Sequence, residues 1–202
     1  MIATVLALCG STRSGSVNQK LLACACVALG KHDVTINSLD LHALDLPIYD
    51  ADLEEERGQP EAVDRLRRAI SQVDGLLIAS PEYNHSITPL LKNAIDWVSH
   101  PIDRSPFKGK VAAIMSAAAR PWGGTRMLPH LRDVLVDLGS GVIPPTVAVP
   151  TAQNAFDAEG NLVNPKTAAF VAKAMAVFAE ELHTRAARKG SAQAVAQVEL
   201  TN

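Results

Sequence analysis

The chain has 202 residues, 48% hydrophobic and 20% charged, with a formal net charge of −2. That length suits one sizeable α/β domain, and the mild acidity argues against nucleic acid or a membrane surface as the main partner. No apolar run approaches the roughly 20 residues of a membrane span, and the first residues lack the basic and small-residue flanks of a signal peptide, so a cytoplasmic protein is expected.

The first element is a strand over residues 2–9, a run apolar but for Thr4. It enters a polar loop, Gly10-Ser11-Thr12-Arg13-Ser14-Gly15-Ser16-Val17-Asn18, and a helical pattern then runs to Leu29 and stops at Gly30. A short strand at 34–36 is followed by a long loop, 38–59. The second helix begins at Pro60, a residue suited to a first helical position, and buries Val63, Leu66, Ile70 and Val73. The third strand is 76–79. Its loop, 80–86, leads to a helix with Thr88 as N-cap and Pro89 as first residue. A fourth strand, 111–115, gives a third loop, 116–124, and a helix with Leu128, Leu131, Leu135 and Leu138 inward. The fifth strand lies within 142–149, where Pro144, Pro145 and Pro150 suit a sheet edge. Asn164-Pro165 opens the last helix, with Val171, Met175, Phe178 and Leu182 on its inner face. Residues 1–189 thus read as one domain and 190–202 as a small, polar, flexible tail.

Strands alternating with helices predict the α/β class with a parallel sheet. In such a sheet ligands bind outside the carboxyl ends of the strands, at the switch point of the winding. A strand order of 2-1-3-4-5 brings the loops after strands 1, 3 and 4 together as one site.

Each loop has its own chemistry. In the first, hydroxyls of Ser11 and Ser16, the Asn18 amide and the Arg13 guanidinium surround a helix N-terminus, which suits a phosphate monoester. A P-loop is excluded, because Ser16 and Val17 follow Gly15 where Lys and Ser or Thr are needed. A dinucleotide G-x-G-x-x-G is excluded by Thr12, and a phosphatase built on Cys9 by Gly15 in place of its arginine. In the second loop, Tyr83 is either a stacking partner for a flat heterocycle or a surface aromatic, with backbone groups of Glu82 and Asn84 at the ring's polar edge. His85 is a solvated residue or a proton donor. Glu82 has no companion carboxylate for paired acid–base work. In the third loop, Ser116, Gly123 and Gly124 allow the backbone to approach a ligand, and Trp122 covers an aromatic ligand or a subunit contact. Cys9, Cys24 and Cys26 read as reduced packing residues, and six scattered histidines offer no metal motif.

The segments Gly10-Ser11-x-Arg13-x-x-Ser16-x-Asn18-x-x-Leu21 and Ser80-Pro81-Glu82-Tyr83-Asn84-x-Ser86-x-x-Pro89-x-Leu91-Lys92-Asn93-Ala94-Ile95-Asp96-Trp97 closely resemble the NADPH-dependent FMN reductase family. The resemblance implies a flavodoxin-like three-layer sandwich around a five-stranded sheet. It implies bound FMN, NAD(P)H as co-substrate, and hydride transfer to a quinone, free flavin, azo compound or metal oxyanion. It places Ser11, Arg13, Ser16, Val17 and Asn18 around the phosphate. Pro81, Glu82, Tyr83 and Asn84 then run along the isoalloxazine, and Ser116, Gly123 and Gly124 close the other side. Chemistry falls on the flavin, with no catalytic side chain and no metal. A homodimer or homotetramer is implied, with Trp97 and Trp122 as candidates for the contact. One departure from the family pattern stands out: Ala117, Ala118 and Ala119, then Arg120-Pro121-Trp122, occupy positions often held by glycines. Two other readings remain, a flavodoxin-type electron carrier and a flavin-free interaction scaffold; carriers tend to be far more acidic than −2.

Overall fold

A computed structural model describes the backbone of residues 2–199 and the side chains of 2–188. β1 (Ala3–Cys9), β3 (Gly75–Ala79) and β4 (Val111–Ala117) form the sheet centre, and β3 and β4 are buried throughout. This accounts for their apolar runs, interrupted only by Ser116 near the end of β4, since a parallel strand covered on both faces needs apolar side chains pointing both ways. β2 (Val34–Leu39) lies at one edge, and the order is β2-β1-β3-β4-β5, all parallel.

Alternate residues feed two cores. Val5, Ala7, Leu77, Ala79, Val111 and Ala113 face α1 (Val17–Leu29) and α6 (Pro165–Glu199). Leu6, Leu8, Leu76, Ile78, Ala112 and Ile114 face α3 (Glu61–Ser71), α4 (Pro89–Ser99) and α5 (Met127–Asp137). The result is the three-layer, flavodoxin-like sandwich. Among the described residues no helix is long and apolar enough to cross a membrane, and no group of His, Cys, Asp and Glu is arranged to hold a metal.

The fifth strand departs from expectation by splitting in two. β5 (Gly141–Val142) pairs with Val111 and Ala112, while β6 (Val147–Val149) pairs further along β4 with Met115, Ser116 and Ala117. Pro144 and Pro145 stand between them and have no N–H to give the ladder, so the sheet counts six strands.

The loop expected over 38–59 contains a helix, α2 (Ala51–Arg57), with no buried residue and hence no apolar stripe to announce it. Asp50 caps it through Asp52 N and Leu53 N. Glu54 ties it down, accepting from Tyr49 Oη (3.2 Å), Gln59 Nε2 (2.5 Å) and His100 Nδ1 (2.8 Å). Burial pushes the Glu54 carboxyl up, but these donors outweigh it and hold the pKa below its ordinary value. Pro60 is the N-cap of α3 and not its first residue. α6 continues past Gly190 to Glu199; the side chains of the tail expected over 190–202 lie outside those described.

Trp97 corrects a second expectation. It is fully buried on the inner face of α4, edge-on to Tyr49 at 5.0 Å, with Nε1 donating to Pro47 O at 2.8 Å. A side chain so enclosed belongs to the core and is not available for a subunit contact.

Candidate functional site

The loops after β1, β3 and β4 meet at the carboxyl end of the sheet and are stitched to one another. Gly10 N donates to Ala79 O (2.9 Å), and Ser80 N to Met115 O (3.0 Å). Thr88, buried at the start of α4, donates to Gly10 O (2.7 Å) while accepting from Leu91 N (3.3 Å). Gly10 must be glycine here, because a Cβ would stand 2.4 Å from Ser80 Oγ.

Between the loops lies a cleft of about 450 Å³, within the range of small-molecule sites. The first loop contributes Ser11, Arg13, Gly15, Ser16, Val17 and Asn18; the second, Pro81, Glu82 and Tyr83; the third, Ala117, Ala118, Ala119 and Arg120. A fourth segment, after β6, adds Ala152 and Gln153, which no sequence signal marked. Smaller clefts of about 340, 360 and 380 Å³ include none of the three loops.

The first loop keeps its donors available. Ser16 is the N-cap of α1, accepts from Asn18 N (3.2 Å) and lines the cleft. Ser11 Oγ accepts from Arg13 N (3.3 Å). Arg13 is exposed and has no carboxylate partner among the described residues. With the positive end of α1, this set fits a phosphate dianion. Asn18 has another task. Only 1% exposed, it donates from Nδ2 to Ala117 O (2.9 Å) and accepts at Oδ1 from Ala117 N (2.8 Å). It is therefore a strut joining the first loop to the third, with one Nδ2 hydrogen to spare.

In the second loop Tyr83 and Ser86 exchange backbone hydrogen bonds, both 3.0 Å. Asn84 and His85 form the tip between them, both left-handed (φ 49° and 68°). Asn84 thus sits at the corner of a turn and not on the cleft wall, while Tyr83, 47% exposed, stands on the wall. Glu82 turns its carboxylate away from any paired role: Oε1 accepts from Trp122 Nε1 (3.2 Å), and Oε2 from Arg126 N (3.0 Å) and Met127 N (3.3 Å). It caps α5, whose own N-cap residue, Arg126, supplies no side-chain bond.

Ser116, Gly123 and Gly124 lie behind the wall. Ser116 is fully buried and its Oγ has no hydrogen-bond partner; a Cβ on Gly124 would stand 2.0 Å from that oxygen. A Cβ on Gly123 would stand 2.7 Å from the Val149 backbone. The close approach these glycines permit is thus to protein. Cys9 lies beneath the first loop, and burial raises its thiol pKa against the lowering by Ser11 N–H and the Ser16 hydroxyl. It is a neutral packing residue, not a nucleophile.

Residues 3–154 match the family model described as NADPH-dependent FMN reductase. A Pseudomonas aeruginosa protein named NAD(P)H-dependent FMN reductase is 44% identical over 163 residues, covering 80% of this chain and 85% of that protein. An Escherichia coli protein named quinone reductase is 36% identical over 178 residues, 87% and 93% of the two chains. Among solved structures, a flavoenzyme NAD(P)H:(acceptor) oxidoreductase from Paracoccus denitrificans superposes with a TM-score of 0.80 at 30% identity, covering 91% of this chain and 98% of the other. Cleft, loop order and matches agree, and the chain belongs to the NADPH-dependent FMN reductase family.

Proposed function

We propose that the cleft holds FMN, with its phosphate on the first loop and its ring between the second and third, and that the protein passes hydride from NAD(P)H to an acceptor such as a quinone. The observation that carries this is the donor set of Ser11, Ser16, Arg13 and the α1 terminus, with no carboxylate pairing Arg13, at one end of a cleft of about 450 Å³. When bound, FMN supplies a ring that takes hydride from a nicotinamide and hands electrons on.

The chain's own residues position that ring. Arg13 and the two hydroxyls neutralise and orient the phosphate. Asn18 fixes the spacing between first and third loops through Ala117. Tyr83 offers an aromatic face, and Ala118 and Ala119 line the opposite wall with methyls in place of the family's glycines. Glu82 is held by three N–H donors, so no proton need pass through it. Donor and acceptor then use one opening in turn, which is a ping-pong scheme. By likeness to the family we place the protein in the cytoplasm as a homodimer or homotetramer, with half-buried Trp122 as a contact residue.

The test is an anaerobic absorption titration of the purified protein supplied with FMN. Tight FMN binding and loss of the visible flavin absorbance on adding NADPH are expected. A protein that holds no FMN, or holds it unbleached, overturns the reading.

A further inference from the structure

The rim of the cleft carries cations that the phosphate site does not use. Arg120 lines the cleft on the third-loop side and is exposed. Its guanidinium carbon lies over the Trp122 ring at 5.9 Å, and that of Arg126 at 4.4 Å. Trp122 is pinned by its Nε1 bond to Glu82. A guanidinium over an indole is ordered by the ring yet keeps its fork of N–H donors for a ligand. Neither arginine has a carboxylate partner among the described residues. The nearby carboxylate, Glu82, is spent on Trp122 and the α5 terminus. Arg126 also meets His85 Nε2, which brings no negative charge.

We propose that Arg120 and Arg126, ordered on Trp122, form a recognition site for an anionic group on the incoming substrate, distinct from the site for the flavin's phosphate. The inference rests on the reading that FMN occupies the cleft. The chemistry recognised is a compact oxyanion, such as a phosphate monoester or a sulfonate. It is carried either by the 2′-position of the nicotinamide donor or by the acceptor.

Steady-state kinetics of Arg120→Gln and Arg126→Gln test this. Both substitutions spare the loop's backbone bonds, since Arg120 O holds Gly123 N and Arg126 N binds Glu82. One arm compares NADPH with NADH against menadione; the other compares anthraquinone-2-sulfonate with menadione at saturating NADH. In at least one arm KM for the member bearing the extra oxyanion, NADPH or the sulfonate, is expected to rise about tenfold, with the member lacking it, NADH or menadione, within about twofold. The arm that responds names the source. The members with and without the extra oxyanion moving together, or neither moving, with FMN affinity unchanged, overturns the site while leaving the flavin reading intact. Failure of the wild-type protein to hold FMN overturns the flavin reading instead. Should a variant not fold, the wild-type salt dependence decides: KM for the member with the extra oxyanion must climb more steeply with ionic strength than that of its partner, and equal slopes reject the site.

Discussion

The first and third loops flank the same cleft and are built in opposite ways. In the first, Arg13 and Gly15 are exposed, a Cβ on Gly15 would meet nothing within 4 Å, and the bonds accepted by the Ser11 and Ser16 hydroxyls come from Arg13 N and Asn18 N within the loop. In the third, Ala117 is clamped by Asn18, Ala118 exchanges bonds with Val149 O and Ala152 N, and Gly123 and Gly124 are packed against neighbours. One loop keeps its donors for a ligand; the other uses them to hold the frame against which the ligand is held. Glycine accordingly means freedom in one and lack of room in the other.

The contrast is broken most severely at Gly124. Alanine there combines a left-handed φ of 85° with a methyl 2.0 Å from Ser116 Oγ, and about 4 kcal/mol of stability should be lost. Chemical denaturation measures it, and adding Ser116→Ala should recover only the clash with Oγ, because the Cβ of residue 116 would still stand 2.8 Å from the new methyl. Asn18→Ala comes next. It leaves both Ala117 backbone groups unpaired in a buried place, for about 3 kcal/mol in the same assay; a loss below about 1 kcal/mol would mean that the strut is dispensable. Arg13→Ala should leave folding stability within about 0.5 kcal/mol while weakening FMN binding by about 2 kcal/mol, as read by flavin fluorescence titration. Unchanged affinity would remove Arg13 from the phosphate site. The smallest effect belongs to Gly15→Ala, where only the φ of 68° is strained, at about 1 kcal/mol of stability. A Gly15→Ala cost equal to that at Gly124 would erase the distinction between the loops.

The layered architecture was legible because β1, β3 and β4 carry apolar runs and α3 and α5 carry clear stripes. α2 was not, because it has no fully buried residue and only Leu53 leans on the core. The split into β5 and β6 depends on where β4 offers partners on either side of Pro144 and Pro145, which spacing along the chain does not show. In the site, Ser11, Arg13, Ser16, Asn18, Glu82 and Tyr83 line the cleft and were readable from residue type, whereas Val17 and Pro81, which also line it, came from the family resemblance. Ala152 and Gln153 were not, because only β6 pairing beside Ser116 brings their segment to the rim. Asn18 and Glu82 were found for their polarity, yet their partners, Ala117 and the α5 terminus, lie 99 and about 44 residues away and belong to tertiary structure.

The two tryptophans of the chain sit in unlike surroundings: Trp97 is sealed in the core beside Tyr49, and Trp122 stands half-buried beside two guanidiniums. Intrinsic ultraviolet emission therefore divides into two reporters. A Trp122→Phe protein would glow from the interior alone and follow unfolding, while a Trp97→Phe protein would glow from the rim and follow what enters the opening. The molecule carries its own pair of optical probes, and no label need be attached to watch folding and occupancy separately.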